Sequence, residues 1–276
     1  MTISTLLPLS CGNAVRLVLT PPAEAWFWRI LRHTADAFTG PDDAGAVRVA
    51  EDSTNAVVLD VQALSNGTPY YYRAYFWDGA SWTASPSQSA IPAATYQGDD
   101  RDPRAILRDR LAAGLAVEIA RGALTPAAGS IPVLTTPIAT LGAVPLPAVS
   151  VGLESVASLS LSKNISSDQR LPAGGWRETS GWVDKITLAV VGVSGDAEER
   201  HALQRAIRRV ILVNLPVFEA LGLDQIEFSQ SDDEDLISAA APLYRTTGHF
   251  DCVAPSVVSD TVGSVADVVS TLNTGT

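Results

Sequence analysis

Apolar and polar residues alternate in short stretches through the first third of the chain. Val15, Leu17 and Leu19 recur at every second position, Trp26, Trp28 and Ile30 do the same, and shorter runs follow at 47–50 and 56–61. A period of two puts successive side chains on opposite faces of a strand, so each run predicts a strand with one buried face. The strongest run is 70–77, Tyr-Tyr-Tyr-Arg-Ala-Tyr-Phe-Trp, between the turn signals Asn66-Gly67 and Asp78-Gly79. Pro69 stands at its entrance, where no ladder donor is required. Tyr70, Tyr72, Ala74 and Phe76 share the face predicted to be core; Tyr71, Arg73, Tyr75 and Trp77 share the other. Many short strands divided by turn-rich segments predict an all-β sandwich.

The period changes after residue 96. A polar, glycine-containing stretch at 97–102 suits a linker, and Asp102-Pro103 then reads as an N-cap followed by the first helical residue. Ile106, Leu107, Leu111, Leu115 and Ile119 form one stripe of a helix that Gly122 closes. Residues 123–147 carry five prolines and predict a long loop or extended arm. Strand patterns follow at 148–161 and 182–193, with a polar, glycine-rich hairpin tip expected at 163–181. A second helix opens at Asp196, with Glu199 three residues on as in a capping box, buries Leu203, Ile207, Val210 and Ile211, and is expected to stop at Pro216. Strands at 225–229 and 243–253 complete the pattern. The prediction is therefore two domains: a sandwich at 1–96, a linker at 97–102, an α+β domain at 103–254 with a mostly antiparallel sheet and two main helices, and a C-terminal arm at 255–276.

Composition narrows the functional classes. The formal net charge of -11 is spread over both halves, 5 basic against 10 acidic residues in 1–100 and 14 against 20 in the rest, so neither half has the basic balance of a nucleic-acid clamp. The two cysteines, Cys11 and Cys252, fall in different predicted domains, and no clustered Cys/His spacing offers a metal site; two buried thiols are expected, with no metal and no cofactor. There is no run long and apolar enough to span a bilayer and no convincing signal peptide at Met1–Ser10, which predicts a soluble protein made in the cytoplasm.

The corner before Tyr70 resembles that of the fibronectin type III module, in which a tyrosine near the start of the sixth strand bonds back across the turn it follows. The second half resembles the tail terminator and tail-completion family of tailed phages. The residues that carry this are Leu146-Pro147-Ala148-Val149-Ser150-Val151-Gly152-Leu153-Glu154-Ser155, the strand from Gly181-Trp182 to Val193, the capped helix, and a closing strand with Tyr244-Arg245-Thr246-Thr247. The resemblance implies a structural virion protein made in the host bacterial cytoplasm. Such a protein forms a ring of identical subunits, usually six, between head connector and tail, touching neck, tail-tube or sheath proteins, with DNA passing through without sequence-specific binding. The sandwich would decorate the outside.

A ring requires one surface to meet a different surface next door. Arg205, Arg208 and Arg209 against Asp232, Asp233, Glu234 and Asp235 are the candidate pair, a solvated hairpin tip being the plainer reading of the acidic run. The Pro-rich loop and the valine-rich end of the chain are further candidates for subunit contact. Tyr71, Tyr75, Trp77 and Trp82 form a candidate exposed aromatic patch for a protein or glycan partner. That patch supports the alternative function, a carbohydrate- or surface-binding module. Catalysis has less behind it: Ser160-Leu161-Ser162-Lys163 lacks its companion motifs, His33, His201 and His249 lie far apart, and Glu24, Asp36, Asp42 and Asp43 have no cleft signal around them. The expectation is no enzymatic activity.

Overall fold

A computed structural model describes residues 2–52, 54–98, 101–136, 144–159, 165–171, 176–235 and 243–262. Two units emerge. One takes in 1–97, 170–177 and the chain from 259; the other takes in 98–169 and 178–258.

The first unit is a β-sandwich. Its strands are β1 (Thr2–Pro8), β2 (Val15–Thr20), β3 (Phe27–His33), β4 (Val47–Asp52), β5 (Val57–Asp60), β6 (Tyr70–Trp77), β7 (Trp82–Ala84) and β8 (Gln88–Ala90). One sheet has the order β1-β2-β5; the other has β4-β3-β6-β7, with β8 also on β6. The alternation seen in the sequence decides which faces meet. Val15, Leu17 and Leu19 from the first sheet pack with Trp28, Ile30, Tyr72, Ala74 and Phe76 from the second. The tyrosine corner forms: the Ser65 N–H donates to the Tyr70 hydroxyl at 3.0 Å.

One polar group crosses this core. Asp60, at the end of β5, is fully buried and accepts from Arg32 of β3 at 2.8 Å and from the Tyr72 hydroxyl of β6 at 3.0 Å. Arg32 also donates to the Gln62 carbonyl at 2.7 Å and lies over the Tyr70 ring. Burial, then the Asp60 charge, pushes the Tyr72 hydroxyl far above its usual range, so it stays a donor.

The elements beyond are β9 (Gln97–Gly98), α1 (Pro103–Ala120), β10 (Val133–Leu134), β11 (Ala148–Ser158), β12 (Ile165–Arg170), β13 (Trp176–Ser194), α2 (Ala197–Ala220), β14 (Asp224–Asp235) and β15 (Leu243–Val262). The sheet runs β10-β11-β13-β15-β14, with β12 on β13. β10 is parallel to β11, while the β11–β13 and β14–β15 pairs are antiparallel. Asp102 caps α1 by accepting from the Arg104 N–H at 2.9 Å. Leu107, Leu111 and Leu115 of α1 and Leu203, Ile207, Val210 and Ile211 of α2 form one core with Val149, Val151, Ile186, Leu188, Val190 and Phe250 of the sheet.

The two helices approach closely at Gly114, where an added Cβ would lie 2.3 Å from Cγ1 of Val210. Valine in a helix has a single preferred rotamer and cannot swing clear. Gly114→Ala is therefore expected to lower stability by about 1–3 kcal/mol, outweighing the gain of up to ~1 kcal/mol in helix propensity, as chemical denaturation will report. A gain in stability would show that the helices can part without cost.

Several elements depart from the sequence reading. α2 does not stop at Pro216 but continues to Ala220, because Phe218 is fully buried and packs edge-on against Phe250 with ring centroids 5.4 Å apart. The capping box is not reciprocal: Asp196 accepts from the Glu199 N–H at 2.9 Å, but the Glu199 carboxylate takes the Ser194 hydroxyl, which itself accepts from the Asp196 N–H. The expected hairpin tip at 163–181 holds β12 and the start of β13. The Pro-rich stretch is not a free arm where described, since Leu124 and Ile131 enter the core and 133–134 pair with β11. Residues 137–143 lie outside the described residues. So does most of the proposed arm, 263–276, while 255–262 continue β15.

Candidate functional site

The candidate surfaces can now be placed residue by residue. On the sandwich, the aromatic patch is smaller than the alternation implies. Tyr75 is only 4% exposed, and Tyr71, Trp77 and Trp82 are half-buried. The covering comes from the chain's own loop at 34–46. Arg73 reaches Asp36 at 3.8 Å and lies over the Phe38 ring, while Arg29 donates to the Pro41 carbonyl at 2.8 Å and pairs with Asp42 and Glu51. Glu51 first, then Asp42, raise the Arg29 pKa against the opposing effect of burial. Asp43 closes the loop by accepting from the N–H groups of Thr39 and Gly45, each at 2.9 Å, and these bonds hold its carboxyl below the usual range. Three of the four carboxylates considered as a glycosidase set thus anchor a loop.

Trp77 and Trp82 pack on Phe27, the latter edge-on at 5.1 Å, and Arg29 stacks over Trp82. A strongly exposed aromatic is Trp26, at 70%, which pattern alone assigns to a strand. It precedes β3 and rests on the turn at Gly79, where an added Cβ would lie 3.0 Å from its ring. A glycine in a tight turn beside a tryptophan is the signal that could have found it.

In the second unit two of the candidate charges have partners within the subunit. Arg209 binds Glu118 of α1, with Nε at 3.2 Å from Oε2; that hydrogen bond, ahead of the opposing effect of burial, lowers the Glu118 pKa. Asp232 pairs at 3.6 Å with Arg200, which lies over the Tyr244 ring. Arg205 and Arg208 are exposed. Asp232–Asp235 are not a hairpin tip but the end of β14, opposite Thr246, Arg245, Tyr244 and Leu243. Acidic residues on an edge strand have a physical role: they discourage a foreign strand from adding there. Arg209 and Asp232 thus each have a charged partner within the subunit.

The sheet also assembles a polar cluster that sequence reading missed. His249 Nδ1 and Glu154 Oε2 lie 2.9 Å apart, and the Thr187 hydroxyl donates to Asp251 at 2.6 Å. Glu154 and His249 are 95 residues apart, and only the strand order brings them together. His33 accepts from the Ala35 N–H, and His201 is exposed. Cys252 is buried, and burial pushes its thiol up to about 11, whereas Cys11 is exposed rather than buried as expected. The Ser160–Lys163 motif lies outside the described residues. Among the described residues no helix is long and apolar enough to cross a membrane, and no group of three or more His, Cys, Asp or Glu could hold a metal ion.

Exposed apolar side chains lie on both units: Val57, Leu59 and Val61 of the sandwich are 51%, 53% and 59% exposed, and two further groups lie on the second unit. Leu153 and Val156 of β11 are 55% and 53% exposed, beside a groove of about 310 Å³ lined by Pro103, Arg104, Ile186 and Leu188. Leu212 and Val213 of α2 are 56% and 74% exposed, and Leu212 borders a smaller hollow with Leu215, Ile226 and Phe228.

No family model matches the chain, and no curated protein matches it. Among solved structures, an Fn3-like protein from Clostridium thermocellum is similar over 31% of this chain and 82% of its own, at 22% identity and a TM-score of 0.26. Pectate lyase Pel3 from Pectobacterium carotovorum is similar over 32% of this chain, at 26% identity and a TM-score of 0.26; the match spans about a quarter of that chain. At such scores neither similarity decides anything about this chain, and the sandwich rests on its own strand order and core.

Proposed function

We propose that the protein is a structural subunit of a phage tail, forming a tail terminator or neck ring from copies of itself, with residues 1–96 as a peripheral fibronectin type III module. The observation that carries this reading is the surface of the second unit: Leu153, Val156, Leu212 and Val213 are all more than half exposed on a strand and a helix. Apolar surface on regular elements is suited to a protein neighbour. The likeness in element order to the tail terminator family is the reason for proposing a ring. In the ring, subunits touch one another and the adjoining neck, tube or sheath proteins, and the duplex passes without base contacts. The type III assignment is supported by the sheet orders β1-β2-β5 and β4-β3-β6-β7 and by the Tyr70 corner.

Negative-stain micrographs of the purified protein test the proposal. Annular particles with a central hole are expected; a field of isolated subunits at every concentration would refute it. One observation favours the second reading, a glycan- or surface-binding module: Trp26, held on Gly79 and 70% exposed, offers a fixed flat ring. Under that reading a solitary chain would bind polysaccharide without assembling.

A further inference from the structure

We infer that neighbouring subunits join by strand addition, the open edge of β11 in one copy pairing with the open edge of β14 in the next. This rests on the ring reading and names the contact that would build it.

The two edges lie at opposite ends of one sheet. β10 covers β11 only at Val149 and Ser150, so among the described residues 151–158 have no strand on that side. Among the described residues β14 ends the sheet on the other side. The free stretches also stand at one level. Ser155 is opposite Thr187, the Thr187 hydroxyl donates to Asp251, and Asp251 is opposite Glu227. A line drawn across the strands through these four residues leaves the sheet at Ser155 on one edge and Glu227 on the other. A neighbour placed side by side at the same height brings those two positions together, and repeating the step gives a ring or a filament.

The side chains suit this seam. Leu153 and Val156 are exposed next to the β11 groove, and Ile226 and Phe228, half-buried, border the hollow under α2 on the β14 side. The upper part of β14, Asp232–Asp235, has the acidic character that blocks strand addition, which confines pairing to 224–230. Both edges carry a bulge at the shared level, between Leu153 and Ser155 and between Asp224 and Glu227. Bulges can protect an edge by twisting it away, but a protected edge has no need of two apolar residues left in water beside it.

The test uses the full chain with Cys11→Ser, leaving only buried Cys252. Ser155→Cys and Glu227→Cys are introduced together and singly, and a short bismaleimide is added. Because each subunit then offers both halves of the contact, the double variant should give a ladder of covalent multimers on a denaturing gel, and each single variant should give none beyond dimer. Val156→Lys, at an exposed position that leaves the fold intact by circular dichroism, should raise the concentration for half-assembly by about tenfold or more. Rings in micrographs without a ladder, and unmoved by Val156→Lys, would overturn the edge contact and leave the ring standing. Isolated subunits throughout would overturn both.

Discussion

Replacing Asp60 by alanine is expected to lower stability by about 3–5 kcal/mol, the cost of leaving a buried charge without its partner. Arg32 is 5% exposed and Asp60 is 0% exposed, so water cannot take the carboxylate's place without opening the sandwich. Arg32 would keep the Gln62 carbonyl and the Tyr70 face, neither of which neutralises it, and the Tyr72 hydroxyl would lose its acceptor. The loss should appear as an early transition in urea followed by tryptophan fluorescence, since Trp28 lies in the same core. Replacing both Asp60 and Arg32 by apolar residues of similar volume should recover much of the loss, because the desolvation of two ions disappears together with their attraction. A change below about 1 kcal/mol for Asp60→Ala would mean that the group is solvated and does not tie the sheets together.

Phe218→Ala is expected to be as damaging to the second unit, about 3–5 kcal/mol. Phe218 is fully buried, and its ring meets Phe250 of β15 edge-on. It also holds the last helical turn in place. Pro216 removes the N–H that would bond the Leu212 carbonyl, so local propensity favours ending the helix there. Tertiary burial of one aromatic ring overrides that preference. Loss of the ring should therefore destabilise the unit and also shorten α2, visible as faster hydrogen exchange at 217–221. Destabilisation with those amides still protected would show that something other than Phe218 carries the helix past the proline.

These two cases also show where sequence stops being informative. Whatever depends on neighbours within a few residues was legible: the alternation at 15–19 and 70–77, the corner at Tyr70, the Asp102-Pro103 start of α1 and the Asp196 cap of α2. Features decided by distant parts of the chain were not. Tyr75 lies on the face opposite the core, and nothing around it tells that loop 34–46 folds back to bury it through Arg73 and Arg29. Arg209 reads as a free surface charge until α1 brings Glu118 to it from 91 residues away. The acidic run 232–235 suggests a tip by composition, but its strand pairing with 243–246 makes it an edge. The same limit applies to the candidate site: exposed Leu153 continues the alternation of buried Val149 and Val151, and nothing local marks it as the one left uncovered.

The claim that this chain works as one of many identical copies is tested most directly by its native mass in solution as a function of concentration. A single closed multiple of 29.0 kDa is expected, one that persists on dilution and falls toward the monomer in Val156→Lys. A mass fixed at one subunit up to the highest soluble concentration would contradict it.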